Sequence, residues 1–216
     1  MNVLVDFWNN YGGQIMDALG PHLFLTFVSL ALGIIVAVPL GIFLTRNPRL
    51  ASPIIAVVSI FQTIPSLVFF ALILPFLGIG TQPALVVLFV YSLLPILRNT
   101  YIGVRSIDPA LIDASRGQGM TSWEILYMVE LPLSAPLIVA GIRLAAIYLV
   151  SWATIAALIG AGGLGDLIFS GIDNYDTNLL LAGAVPTALL ALLIGFLLGM
   201  VRRLVTPRGL KVGVAR

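Results

Sequence analysis

The sequence predicts an all-α membrane protein with about five transmembrane helices. Three observations predict it. Of 216 residues, 60% are apolar and 9% charged, whereas a soluble domain averages about 45–50% and about 25%. That leaves too little polar surface to cover a soluble fold of this size. Stretches 18–45, 50–97, 144–165 and 177–201 hold no charged residue, and about 20 such residues cross a bilayer. Finally, the charges sort by loop parity. With an outer N-terminus and five spans, all 11 lysines and arginines lie inside with Asp108, Asp113, Glu124 and Glu130. The outside holds Asp6, Asp17, Asp166, Asp173 and Asp176, the asymmetry expected of an inserted protein.

The elements follow in order. Residues 1–21 form an N-terminal outer-surface segment. They lack the positive start of a cleaved signal peptide. Phe7, Trp8, Tyr11 and Ile15 either share one face of a short surface helix or belong to a frayed end. Spans lie near 22–45, 53–75, 83–103, 136–158 and 179–201, within a transmembrane domain 22–203. The run Pro75-Phe76-Leu77-Gly78-Ile79-Gly80-Thr81-Gln82-Pro83 divides the long second stretch. Pro39, Pro65, Pro95, Pro136 and Pro186 fall in or beside the spans. They mark kinks around a movable path, or simply the tolerance of membrane helices for proline. Gly195 and Gly199 form a GxxxG pair that permits close helix approach. A basic tail, 204–216, ends the chain on the inner side.

Composition also excludes chemistry. The chain has no cysteine and one histidine, His22, so no zinc or iron site of the usual ligands can form within it. His22 reads as an interfacial residue at the outer edge of the first span. The basic residues are scattered between apolar runs, unlike a nucleic-acid-binding face. G-x-x-x-x-G-K-S/T is absent, and Lys211 is the one lysine; the chain does not hydrolyse ATP by that motif. Residues 160–165 do satisfy G-x-G-x-x-G, but they follow an apolar span rather than a strand. They read as tight backbone packing at the outer end of the fourth span. The spans carry no charge suited to a proton relay, and no nucleophile and base for an intramembrane hydrolase.

The informative segment is the inner loop 104–135. Positions 98–143 carry eight charges in 46 residues. Asp108-Pro109 reads as an N-cap with proline at the first helical position. A short helix over 109–116 then ends at Gly117 and Gly119. Thr121 and Glu124 have capping-box spacing, and the helix they start should stop near Pro132. Trp123, Leu126, Tyr127 and Glu130 share one of its faces. Two short helices at an angle make a docking knob, the alternative being a solvated loop tied down by its aromatics.

Asp113-Ala114-Ser115, then Gly119, then Val129-Glu130-Leu131-Pro132 resembles the EAA motif of ABC importer permeases. Aspartate replaces the usual glutamate, and serine the second alanine. The stretches QTIPS at Gln62, YSLLPILRNT at Tyr91, VELPLSAPLIVAGIR at Val129 and IGAGGLGD at Ile159 extend the likeness over roughly residues 20–200. Together they resemble the permease subunit of osmoprotectant importers, which carry glycine betaine, carnitine or choline. Methionine importer permeases look similar at the glycine-rich element. The resemblance implies a type I ABC importer permease fold in the inner membrane of a bacterial cell. It implies ATPase coupling through Asp113, Ala114, Ser115, Gly119, Leu131 and Pro132. The implied partners are a second permease chain, identical or related, two ATP-binding subunits that bind ATP and Mg, an external substrate-binding protein, and lipid. No cofactor and no metal belong to this chain itself. Substrate contacts are not assigned; Phe69, Phe70, Tyr148 and Trp152 either touch the cation in passing or face lipid and neighbouring helices. A methionine-type permease and a non-transport membrane scaffold are the alternatives.

Overall fold

The computed structural model describes residues 3–207. Every regular element among those residues is a helix. Helix α1 spans Val3–Arg46, α2 Pro48–Thr63, α3 Ser66–Leu77 and α4 Thr81–Arg105. Helix α5 spans Pro109–Gly117 and α6 Ser122–Ile125. A π-helical turn, Leu126–Glu130, joins α6 to α7, Leu131–Ala156. A 3₁₀ turn, Ala157–Ile159, precedes α8, Leu164–Asp173, and α9, Thr177–Val205. Four helical runs are long and apolar enough to cross a membrane, and the pair α2–α3 together makes up to five.

Helix α1 has 44 residues and a length of about 66 Å at 1.5 Å per residue. The expected separate surface segment is instead the first turns of the same rod. Tertiary packing explains the difference. Ile15 is buried with Leu164, Leu167 and Ala182, and Phe7 and Tyr11 pack against that group. The Tyr11 hydroxyl donates to Asp176 at 3.2 Å. The apolar face read as membrane-facing is thus spent on α8 and α9. Trp8 does not join it and is 56% exposed. The basic tail expected over 204–216 begins inside α9, and its residues from 208 on lie outside the described residues.

The second expected span is two helices meeting at 97°. Pro65 lacks an N–H and pushes the residue before it out of helical geometry; Ile64 accordingly sits at φ −73°, ψ 126°. The freed carbonyl of Ile64 accepts the Tyr91 hydroxyl at 2.7 Å. Pro95 frees the carbonyl of Tyr91 in turn, and Gln62 Nε2 donates to it at 3.2 Å. The two motif stretches therefore dock on each other, each satisfying the backbone group that the other's proline leaves open. Tyr91→Phe should leave the Ile64 carbonyl unpaired in an apolar setting. The expected cost is about 1–3 kcal/mol, read as a lower midpoint in thermal unfolding of the solubilised protein.

Helix α4 is the central rod, packed between α1 and α7. Small residues set the approach. A Cβ on Gly33 would lie 2.0 Å from Ser92 Oγ, and one on Gly41 would lie 2.8 Å from Thr100. On the other side, a Cβ on Gly141 would lie 2.6 Å from that of Asn99. The core gathers around Leu25, Ala37, Phe70, Tyr91, Leu97, Ala145 and Leu149.

The glycine-rich element closes the opposite end from the loop. Gly160, at φ +75°, ends the 3₁₀ turn: its N–H donates to Ala157 at 2.9 Å, and that of Ala161 donates to Ala156 at 3.2 Å. This is the left-handed cap that glycine favours. The Ile159 carbonyl accepts Gly80 N–H at 2.7 Å. A Cβ on Gly165 would lie 2.1 Å from the Thr154 carbonyl. The element is backbone packing, as expected from its place after a span. Helix α8 is the part that sequence reading missed, because ten residues of glycine-rich, acid-flanked chain resemble a loop. His22 is not interfacial: it is fully buried. A Cβ on Gly163 would sit 3.1 Å from His22 Nδ1, so a side chain there would crowd the ring that packs against the turn.

Candidate functional site: the coupling knob

The knob begins where the sequence placed it. Asp108 Oδ1 accepts the Ala110 N–H at 2.9 Å and Pro109 opens α5. Gly119 has φ +82°. Its N–H donates to Arg116 at 2.9 Å, and Met120 N–H donates to Ser115 at 3.2 Å. These are the paired bonds of a Schellman ending, with glycine in the left-handed position. Two residues later Thr121 caps α6: Glu124 N–H donates to Thr121 Oγ1 at 3.3 Å, and Thr121 N–H donates back to Glu124 at 2.6 Å. The chain thus passes from α5 to α6 within four residues, on local hydrogen bonds.

The predicted residues fall into two groups. Asp113, Ala114, Ser115 and Gly119 lie together on α5 and its ending. Asp113 is exposed and meets Arg116 of its own helix at 3.4 Å; the cap of α5 is Asp108. Ala114 is exposed. Ser115 is buried, its hydroxyl donating to the Leu111 carbonyl at 2.8 Å. Leu131 and Pro132 lie apart, at the start of α7. Beside the exposed charges Asp113, Arg116 and Glu124, the knob presents apolar and aromatic side chains: Trp123 is 67% exposed, Tyr127 62% and Met128 69%. The rings of Trp123 and Tyr127 stack 5.8 Å apart.

The second short helix does not stop near Pro132. Residues Ser122–Ile159 form one continuous helical run. The π turn is the reason. Leu131 N–H donates to the Leu126 carbonyl, one residue further back than in an α-helix. The extra residue brings Pro132 into α7 at a first-turn position, where no donor is required. The knob is therefore rigidly continuous with a span.

Glu130 closes the π turn, and sequence reading did not give it a role. It is 3% exposed and forms an ion pair with Arg46 at the end of α1. Its carbonyl also accepts Ser134 Oγ at 2.7 Å. The available signal was a carboxylate on an otherwise apolar face of the motif's last turn. Arg143, counted with the inner-side charges though it falls within the expected span 136–158, lies well inside α7, over Gly195 and Gly199 of α9. The GxxxG pair makes room for a guanidinium rather than for a second backbone. Of the four candidate aromatics, Phe70 is fully buried and Phe69 nearly so, whereas Tyr148 is 40% exposed. Trp152 bridges Tyr91 and Tyr148, with ring centres 4.5 and 5.3 Å away.

A knob of capped helices is thus fused to one span and pinned to another. The sequence matches the family described as binding-protein-dependent transport system inner membrane component, over residues 29–210. The chain belongs to that family. It is similar to the carnitine transport permease protein OpuCB of Listeria monocytogenes, 50% identical over 98% of this chain and 97% of that one. It is also similar to the glycine betaine/carnitine/choline transport system permease protein OpuCB of Bacillus subtilis, 47% identical over the same shares. Among solved structures, an inward-facing form of the MetNI methionine ABC transporter is similar with a TM-score of 0.82. It is 27% identical and covers 96% of this chain and 100% of that chain. The fold is therefore that of an ABC importer permease, and the protein is an inner-membrane component of a bacterial transport system of that kind.

Proposed function

We propose that this chain forms the translocation path of an importer for quaternary-ammonium osmoprotectants: glycine betaine, carnitine or choline. The observation that carries the substrate class is the 50% and 47% identity to carnitine and glycine betaine/carnitine/choline permeases over nearly the whole chain. The solved methionine transporter shares the fold at 27% identity, which supports the methionine reading less. A path between largely uncharged spans suits a betaine, whose net charge is zero. The deciding measurement is uptake of labelled betaine, choline, carnitine and methionine by the reconstituted complex. Uptake of one or more quaternary amines is expected; uptake of methionine alone would move the chain to the other branch.

The working unit is a pair of permease chains, two separate ATP-binding subunits that supply the energy, and an external binding protein. The knob of Asp113, Ala114, Ser115 and Gly119 docks on an ATP-binding subunit, and Leu131 and Pro132 pass its motion into α7. Support comes from the exposed apolar surface at Trp123, Tyr127 and Met128 and from the unbroken helical run into the span. In this arrangement the N-terminus lies outside and residues 108–130 lie in the cytoplasm. Labelling of single cysteines there from the outside of intact cells would overturn it. Asp113→Lys tests docking rather than folding. The Asp113–Arg116 pair is solvent-exposed on both sides, and such pairs add little stability. The expected outcome is normal insertion with reduced uptake and reduced co-purification of the ATP-binding subunit.

A further inference from the structure

A cavity of about 1060 Å³ opens at the loop end between α4, α5, α7 and α9. Three arginines line it, Arg143, Arg202 and Arg203, and the apolar part of its wall includes Leu137, Phe196 and Met200. We propose that this cavity seats the phosphate of an anionic phospholipid from the leaflet on the coupling-loop side, with its acyl chain along the apolar wall.

The geometry is specific. Gly195, Gly199, Arg202 and Arg203 recur at the spacing of one helix face. The guanidinium of Arg143, reaching across from α7, lies on that face: a Cβ on Gly199 would be 3.6 Å from its Cζ and Nη1. The Arg143 Nε is buried with no hydrogen-bond partner among the described residues. None of the three arginines forms an ion pair among those residues. One carboxylate, Asp108, also borders the cavity, and it is engaged in capping α5. Guanidinium groups stay charged at any physiological pH. Three of them around one cavity repel one another, and a cation set into a membrane span requires a counter-ion or water. A free anion would satisfy the charge and leave the apolar wall uncovered. A phosphate that brings its own hydrocarbon satisfies both, as basic pockets between spans at headgroup depth do.

The test uses the assembled complex, stripped of lipid in detergent and exposed to equimolar phosphatidylglycerol and phosphatidylcholine. Retained lipid is then counted by native mass spectrometry. The wild-type complex should retain phosphatidylglycerol in preference by at least about ten-fold. Arg202→Gln with Arg203→Gln, changes on the exposed last turn of α9, should remove most of that preference, as should Arg143→Gln. Arg49→Gln, an exposed arginine of α2 outside the cavity, should keep it. Equal retention of both lipids by the wild type would overturn the proposal, as would an unchanged preference in the cavity variants. Binding of inorganic phosphate, lost in Arg143→Gln, without any preference between lipids would overturn the lipid assignment in favour of a free anion. The readout is independent of uptake, so it stands whatever substrate the transporter carries.

Discussion

Gly119→Val is expected to cut uptake by about ten-fold or more while the chain still inserts. The residue sits at φ +82°, where a side chain crowds the following carbonyl at a cost of about 1–2 kcal/mol, more for a β-branched residue. Space is not the obstacle, since a Cβ there meets nothing within 4 Å. The cost is backbone strain alone, and it falls on a turn held by two hydrogen bonds. Relieving it by leaving the left-handed region breaks the Gly119–Arg116 and Met120–Ser115 bonds and changes the angle between α5 and α6. A strain of about 1.4 kcal/mol corresponds to a factor of ten in the population of the competent geometry. Gly119→Asn is the internal control, because asparagine visits the left-handed region with little penalty. It should retain most of the uptake. The measurement is substrate uptake in proteoliposomes beside co-purification of the ATP-binding subunit. Wild-type uptake by the valine variant would show that the angle of the knob does not transmit anything.

Arg46→Leu should be the more damaging half of an asymmetric pair. Glu130 is buried at the π turn, whereas the Arg46 side chain is 46% exposed. Removing the arginine strands a carboxylate away from water. Breaking a fully buried pair this way costs about 3–5 kcal/mol; partial exposure of this pair lowers the expectation to about 2–3 kcal/mol. Removing the acid is gentler. In Glu130→Gln the amide oxygen still accepts from Arg46, and the guanidinium can turn to solvent, so about 1 kcal/mol is expected. Both variants are compared by thermal unfolding in detergent, together with the double variant, which isolates the pair's own coupling. Equal losses from the two single changes would mean that Glu130 is not held away from water. Uptake should follow the same order, since the pair fastens the end of α1 to the joint between knob and span.

Legibility of the knob varied by feature. Its caps were readable because capping is local: Asp108-Pro109, Gly119 and the Thr121–Glu124 box act within three or four residues, and each forms the expected hydrogen bonds. The stop near Pro132 was misread for an equally physical reason. Proline does break an α-helical register, but a π turn placed just before it absorbs the missing donor, and nothing local announces that turn. Glu130 was legible as an acid on an apolar face, yet its partner lies 84 positions away. The aromatic candidates divided only once burial was known: Phe69 and Phe70 belong to the packing around α4.

The sequence alone determined the helical membrane class, the family likeness, the grouping of the charges and the local construction of the knob. These follow from composition, periodicity and short-range hydrogen bonding, which neighbouring residues settle among themselves. Tertiary structure decided the rest: the right angle between α2 and α3, the continuous rod of α1, helix α8 beneath the glycine-rich turn, the burial of His22, and the meeting of three arginines at one cavity. Each depends on which distant surface fills a given space or satisfies a freed backbone group. In a bundle of rods uniformly rich in leucine, isoleucine and valine, hydrophobic pattern cannot name that surface; the small residues that let α1, α4 and α7 approach can be interpreted only once the partners face each other.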